Sequence, residues 1–437
     1  MGKFCKTWRY NLITSANTAE MLKRTTSLYR EVVAYYLQVF QSHQEILDAR
    51  NWLRQAEILT HGTAGNPNPR YDDFDARFPR LPSGFRRSAI AEAHGLALSW
   101  RSNYRKWQNR KEKHTQRNTR RMVCGKPELR FMERPPLYPS ESKSWPVYYR
   151  TEFRLLDKHH LLLKVFTGNS YAYRKVALAS PLQIPTDCKL ESPTLIYKKH
   201  GFEIHVPVLQ APVRNLRKAS VLAQEASLKI CAVDQGVGNH AACTIQDIEG
   251  RVNASLFLSG ARDNHLRKQL LEQVVRLQKK TMTIPEGESF ARDLWRKIRN
   301  LDDDIAHQVS RRIVDFAKEH NARVIVFEHL SNFRPIKGTR SKRTNQKLSY
   351  WLRSRIFKFA RYKALQEGII VVRVNPKDTS RRCPYCGFLE IARYTPDRDN
   401  GTKLARCENC KTHGVNADWL ATVNIGRKFW EKHKSPA

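Results

Sequence analysis

Cys383-Pro384-Tyr385-Cys386 and Cys407-Glu408-Asn409-Cys410 decide the reading of this chain. Twenty residues lie between the two knuckles, among them the turn signal Asp399-Asn400-Gly401, so the pair can fold back on itself as a ribbon. Four thiolates at this spacing supply a closed tetrahedral zinc site, with Zn–S bonds of about 2.3 Å and no open position for catalysis. One structural Zn²⁺ is therefore expected on Cys383, Cys386, Cys407 and Cys410. The place of the ribbon matters as much as its presence. Upstream, the apolar runs 230–233 and 323–327 read as buried strands ending on Asp234 and Glu328; downstream, Asp418 falls in the first turn of a helix opening near Asn416.

Strand ends of an open α/β sheet are where ligands gather, and three carboxylates there repel one another unless cations lie between them. Two Mg²⁺ ions about 3.5–4 Å apart meet that need and clamp the attacking and leaving oxygens of a phosphodiester. Oxygen ligands of this kind suit Mg²⁺ or Mn²⁺, not zinc. Singly, each acid is weak evidence, since an acid after an apolar strand is more often a helix cap or a solvated loop residue. Their order around a zinc ribbon points to a nuclease.

The 437 residues allow two to four domains, and 78 Lys+Arg against 41 Asp+Glu leave a formal +37. Self-repulsion on that scale opposes compaction, so a polyanion is the expected partner and nucleic acid the first candidate. Aromatic residues at 10% and hydrophobic residues at 41% argue for large packed domains rather than a merely sticky chain. Cys5, Cys124, Cys188, Cys231 and Cys243 are scattered, which suits a reducing compartment. No apolar run approaches a membrane span of roughly 18 residues. A soluble, cytoplasmic protein without a membrane partner is expected.

Along the chain the pattern changes four times. Residues 4–13 read as a strand and residues 18–47 as a helix, by the spacing of Met21, Leu22, Leu28, Val32, Val33, Tyr36, Leu37 and Phe40. A second helix opens near Ser83 and continues through a run holding nine basic residues and one acid, Glu112: Arg101, Arg105, Lys106, Arg110, Lys111, Lys113, Arg117, Arg120 and Arg121. From about 126 to 215 the period becomes two, which predicts a β-rich module built as a small barrel. Two long helices follow, with Leu266, Leu270, Val274 and Leu277 on one face of the first and Leu301, Ile305, Val309, Ile313 and Phe316 on one face of the second.

These motifs carry a family resemblance. Residues 232–239, Ala-Val-Asp-Gln-Gly-Val-Gly-Asn, resemble the first RuvC motif of TnpB transposon nucleases and miniature type V CRISPR effectors. Residues 324–330 resemble the second and residues 416–425 the third, while Asn375 to Gly387 matches the way that family leads into its zinc ribbon. The pattern is departed from at Gln235, at Leu420 and in a Cys410–Asp418 spacing longer by one residue.

The resemblance implies a multidomain α/β protein: an RNase H-like (RuvC) nuclease domain with an inserted zinc ribbon, preceded by a β-barrel wedge domain carrying a helical recognition insert. The implied boundaries are 1–16 and 126–224 for the wedge, 17–125 for the recognition lobe, 225–380 for the nuclease domain, 381–414 for the target-binding ribbon and 415–437 for the last helix and basic tail. It implies an RNA-guided DNA endonuclease, with Asp234, Glu328 and Asp418 as catalytic residues holding two Mg²⁺. Its partners would be a guide RNA and a target DNA, present as heteroduplex and displaced strand, with the protein a prokaryotic monomer or homodimer. Three rivals stand beside it, of which a zinc-ribbon regulator without catalysis leaves the placement of the three acids unexplained. A guided DNA-binding protein would bind without Mg²⁺-dependent cleavage, and an RNA-independent transposase would carry no co-purifying RNA.

The basic run 101–121 is read as a nucleic-acid contact rather than a solvated helix end, because it holds one acid among nine bases. Trp100, Tyr104 and Trp107 are read as packing rather than base-stacking residues. The loop bearing Arg334, Lys337, Arg340, Lys342 and Arg343 fits a nucleic-acid-binding lid as well as a linker. His307 is read as a packing residue, and Asp302-Asp303-Asp304 as a solvated helix face.

Overall fold

The computed structural model describes residues 4–149, 151–184, 188–198, 201–210, 216–281, 290–330, 341, 345, 348, 350–396 and 403–433. The chain divides into two compact units, Met1–Pro212 and Val213–Ala437.

The first unit opens with β1 (Phe4–Ile13) and α1 (Ala16–Ser42), the helix capped by Ser15, whose hydroxyl accepts the Thr18 amide at 3.3 Å. Then come α2 (Trp52–Thr60), α3 (Asp73–Arg77) and the 41-residue α4 (Ser83–Val123). The strands are β2 (Phe153–Leu155), β3 (His160–Phe166), β4 (Tyr171–Leu178), β5 (Cys188–Leu190), β6 (Thr194–Lys198) and β7 (Gly201–Gln210). They form one seven-stranded sheet in the order β2-β3-β4-β1-β7-β5, with β6 also on β7. The expected barrel is thus corrected to a curled half-barrel: among the described strands β2 does not pair with β5 or β6, so the sheet stays open. Period-two burial gives the sheet one covered face. Leu161, Leu163 and Val165 on β3 and Phe202, Ile204, Val206 and Val208 on β7 line one face and join the core of α1 and α4 around Val33, Tyr36, Phe40 and Ile90.

Past Leu98 no α4 side chain packs in that core. The extended segment 127–138 runs back along the helix instead. Trp100 Nε1 donates to Pro136 O and Trp107 Nε1 to Glu133 O, both at 3.0 Å, and Asn118 exchanges two bonds with the Leu129 backbone. Spacings of seven and eleven residues put these three side chains on one face, so the aromatics pack, as expected, but against this strap.

The second unit holds α5 (Ala219–Leu222), β8 (Ile230–Asp234), β9 (Asn239–Gln246), β10 (Val252–Ser259), α6 (Ala261–Lys280), α7 (Arg292–Glu319), β11 (Val324–Glu328), α8 (Arg353–Gln366) and β12 (Ile370–Val374). Its sheet order is β10-β9-β8-β11-β12, antiparallel through the first three and parallel from β8 onward. Cys231 and Val233 face a core with α7 and α8; Ile230 and Ala232 face the opposite core with Ile425 and Phe429 of α9 (Ala417–His433). Burial on both faces is why β8 and β11 read as continuous apolar runs. The small strands β13 (Ala392–Tyr394), β14 (Leu404–Arg406) and β15 (Val415–Asn416) form a separate three-stranded sheet leading directly into α9.

Two expectations are corrected by the helices of this unit. On α6 only Arg267 and Val274 are buried, and the expected stripe stays partly open, with Leu266 and Leu277 exposed. Asp302 is not solvated: it is buried and takes the buried Arg267 guanidinium, Nε to Oδ1 at 2.8 Å. A charge in that position is retained because its partner is equally desolvated. His307 packs as expected, its ring stacked on Phe359 with centroids 3.9 Å apart.

Candidate active site and metal centre

β8 and β11 are parallel neighbours in register, Val324 on Ile230 through Phe327 on Val233, so the residues that end them, Asp234 and Glu328, emerge side by side. Asp418 reaches the same place from the first turn of α9. Asn416 sets that turn, its Oδ1 accepting the Asp418 and Trp419 amides at 2.9 and 3.1 Å. Asn416 itself belongs to β15, paired with Leu404 of the ribbon sheet. Ribbon and third acid are therefore one continuous piece of structure.

The electrostatics report the crowding. Burial pushes the Asp234 carboxyl well above the ordinary range, the charges of Glu328 and Asp418 push the same way, and Arg393 and the Gln235 amide pull back. Glu328 is also raised by burial, against the Thr379 hydroxyl and the positive charges of Lys428 and Arg393. A donor set of three carboxylates, one of them raised by burial and by the charges of the other two, fits a hard divalent cation. Among the described residues, only the cysteines bring three or more ligand atoms all within 4.8 Å of one another. Asp234, Glu328 and Asp418 do not meet that distance.

Three neighbours hold the acids. Asn239 Nδ2 donates to Asp418 Oδ2 at 2.8 Å, and Thr379 donates its hydroxyl to Glu328 Oε1. Asn424 Nδ2 donates to Thr379 O at 2.9 Å and Arg382 O at 2.7 Å. Helix α9 is seated on β9 by a buried polar set, Thr244 to Thr422 Oγ1 at 3.0 Å and Gln246 Nε2 to Thr422 O at 3.0 Å. Gly426 makes room for it, since a Cβ there would stand 2.0 Å from Gln246 Oε1. Asn239, Thr379 and Asn424 lie inside recognisable motifs, yet nothing in their spacing announced these bonds. Arg393, on β13, carried no sequence signal at all.

The cysteine site is compact. Cys383 and Cys410 sulfurs lie 3.6 Å apart, as do those of Cys386 and Cys407. A tetrahedron with bonds of about 2.3 Å has edges near ~3.8 Å, so the four thiols fit zinc. Hydrogen bonds from Asn409 to Cys386 and from Thr412 to Cys410 hold those two thiols below their ordinary range, favouring the thiolates that metals bind. Of the departures from the family pattern, Leu420 is buried with Ala405 and Ala417, packing α9 onto the ribbon, and Gln235 donates to Arg353 O at 3.2 Å. In the longer stretch before Asp418, Lys411 and Gly414 have φ of 55° and 73°.

On α4 the basic face divides. Arg101 is held by Asp48 through bonds of 2.8 and 2.6 Å, Arg110 by Glu133 at 2.7 Å, and Arg121 donates to Pro127 O. Lys111 lies over the Trp107 ring. Arg105, Lys106, Lys113, Arg117 and Arg120 are exposed, without an ion-pair partner among the described residues. Arg334, Lys337, Arg340, Lys342 and Arg343, like the turn at 399–401, lie outside the described residues.

The family model of the Cas12f1-like TNB domain matches residues 354–425, and that of the Aq_aa04 family matches residues 6–167. A TnpB-like protein of Aquifex aeolicus, aq_aa05, is 36% identical over 182 residues, 40% of this chain and 57% of that protein. The Cas12f1 CRISPR-associated endodeoxyribonuclease of Sulfoacidibacillus thermotolerans is 31% identical over 170 residues, 39% of this chain and 33% of that one. Over these stretches the chain is similar to TnpB-like and Cas12f-type proteins. It spans between half and two thirds of the length of its TnpB-like relatives, 57% for the Aquifex protein and 64% for MJ0751 of Methanocaldococcus jannaschii. Among solved structures, the mini-RNA-guided endonuclease CRISPR-Cas_phi3 matches 98% of this chain and 93% of its own, with a TM-score of 0.53 at 11% identity. CasPhi-2 (Cas12j) bound to crRNA and phosphorothioate-DNA matches 99% and 92%, at 0.51 and 12%. Such identities speak to fold alone. No described helix of this TnpB-like chain is long and apolar enough to cross a membrane.

Proposed function

We propose that this TnpB-like chain is an RNA-guided DNA endonuclease whose RuvC-like site cuts by Mg²⁺-dependent phosphodiester hydrolysis. The observation that carries the reading is Asp234 crowded by the charges of both Glu328 and Asp418, acids drawn from three separate elements. A buried anionic cluster without catalytic or binding purpose would be replaced by neutral residues at no loss of packing. Bound divalent cations supply charge compensation and polarise the scissile phosphate. Asp234, Glu328 and Asp418 would hold them, with Asn239 bonded to the last of these carboxylates. Arg393 and Lys428 bring positive charge to the place where a phosphate backbone must approach.

Sequence would be read by base pairing between guide and target strand, leaving the protein to grip backbones. The unpaired cations of α4 suit that task. In this reading residues 1–16 and 126–224 form the wedge, 17–125 the recognition lobe, 225–380 with 415–437 the nuclease, and 381–414 a zinc-holding ribbon on the target. The test is cleavage of guide-matched DNA by the purified complex, with and without Mg²⁺. Cutting that needs both guide and metal supports the reading. Cutting without co-purifying RNA would favour the transposase, and matched binding without cutting the guided binder.

A further inference from the structure

Thr379 is 1% exposed, although it sits in the short connection between β12 and the first zinc knuckle. The chain is forced into place there. Asp378 has φ of 62°, in the left-handed region, and its carbonyl accepts the Arg381 and Arg382 amides at 3.1 and 3.0 Å. The Thr379 hydroxyl contacts both Glu328 Oε1 and, at 2.9 Å, Pro376 O. It has one proton, and the carboxylate is the stronger acceptor. Behind it, Asn424 is 2% exposed and spends its amide protons on the Thr379 and Arg382 carbonyls. A connection needing only to reach the ribbon would leave that hydroxyl in water.

We propose that Thr379 is a positioning residue for the acid site. Its hydroxyl aims the Glu328 carboxylate, and Asn424 of α9 fixes Thr379, so the segment leading into the zinc ribbon is part of the metal-holding apparatus. The inference rests on the reading of Asp234, Glu328 and Asp418 as divalent-cation ligands. It makes β11, the ribbon connection and α9 interdependent: a shift of the ribbon is felt at Glu328 through one hydroxyl.

The test uses the full zinc-loaded chain and Mn²⁺ as probe, with binding read from loss of the free-ion electron paramagnetic resonance signal. Asp234→Ala defines the background. Thr379→Val keeps the shape and removes the donor; it is expected to weaken Mn²⁺ binding by about 10–100-fold. Zinc content and melting temperature should stay at wild-type values, and Thr379→Ser should restore the affinity. Cleavage by Thr379→Val should need more Mg²⁺ and recover at saturation. Mn²⁺ affinity unchanged in Thr379→Val overturns the inference, whether or not the chain cuts DNA. Should valine disturb the ribbon, Thr379→Ala removes the same donor, and unchanged Mn²⁺ affinity in it overturns the inference equally. A wild-type chain that binds Mn²⁺ at the acids yet never cuts overturns only the nuclease reading. One that binds no Mn²⁺ above the Asp234→Ala background overturns both.

Discussion

The side-chain amide of Asn239 lies 2.8 Å from the Asp418 carboxylate, joining the loop that follows the first acid to the helix that carries the third. The loop is tight. A Cβ at Gly236 would stand 2.7 Å from Asn239 O, so only glycine lets the chain return in five residues from Asp234. Asn239→Ala should lower single-turnover cleavage by about 10–100-fold while leaving DNA binding unchanged. Asn239→Asp should do worse, because it adds a fourth negative charge. An unchanged rate in the alanine variant would mean that Asp418 needs no such orientation.

One zinc per chain is expected, held by Cys383, Cys386, Cys407 and Cys410. Because β15 is both a ribbon strand and the lead-in to α9, losing zinc should unseat Asp418 as well as the ribbon. Cys383→Ser should therefore show no zinc by elemental analysis, and a cleavage loss that added Mg²⁺ does not repair. A zinc-free protein that cuts normally would separate ribbon from site.

Of the nine bases in the run 101–121, those without acid partners among the described residues should carry the phosphate contacts. Replacing Arg105, Lys106, Lys113 and Arg117 together by alanine should flatten the salt dependence of RNA binding by roughly 0.7–0.9 log units for each phosphate no longer neutralised, without changing which target is selected. Replacing Arg101 and Arg110 should flatten it less, since Asp48 and Glu133 already occupy them. Equal slopes for both sets would show that pairing does not decide which bases meet the nucleic acid.

Burial of the acids, with crowding at Asp234, makes a pH prediction for the metal-free chain. Unfolded, Asp234 and Glu328 ionise near ~3.9 and ~4.3; folded, both do so at higher pH. The unfolded state sheds its protons first, so stability is fully present below the unfolded values and is lost as pH rises through the folded ones. Asp234→Asn should raise the melting temperature at pH 8 by a few degrees and leave it near wild type at pH 4. Mg²⁺ should stabilise the wild type increasingly over the same window. Identical melting of the two proteins at pH 8 would contradict the raised Asp234 carboxyl.

Much of this architecture was legible because it is written in local pattern. The double-faced burial of β8 and β11 produced unbroken apolar runs, and each ran into its acid. The cysteine spacing likewise named its own ligands. What stayed hidden was set by tertiary partners. Whether the wedge sheet closes depends on which edge strands meet, which period-two alternation does not encode. Asp302 reads as solvated until Arg267 is brought against it from another helix. Thr379 and Arg393 matter only because the ribbon folds back on the sheet, and no spacing in the sequence says where it lands.

The most direct measurement pairs binding with cleavage on one labelled, guide-matched DNA, comparing wild type with Asp234→Ala. Three acids from three elements cannot hold the cations once one is gone, whereas guide loading and target recognition use other surfaces. Asp234→Ala should therefore bind RNA and matched DNA with near wild-type affinity while its cleavage falls by several orders of magnitude. Cleavage retained in Asp234→Ala would contradict the assigned site.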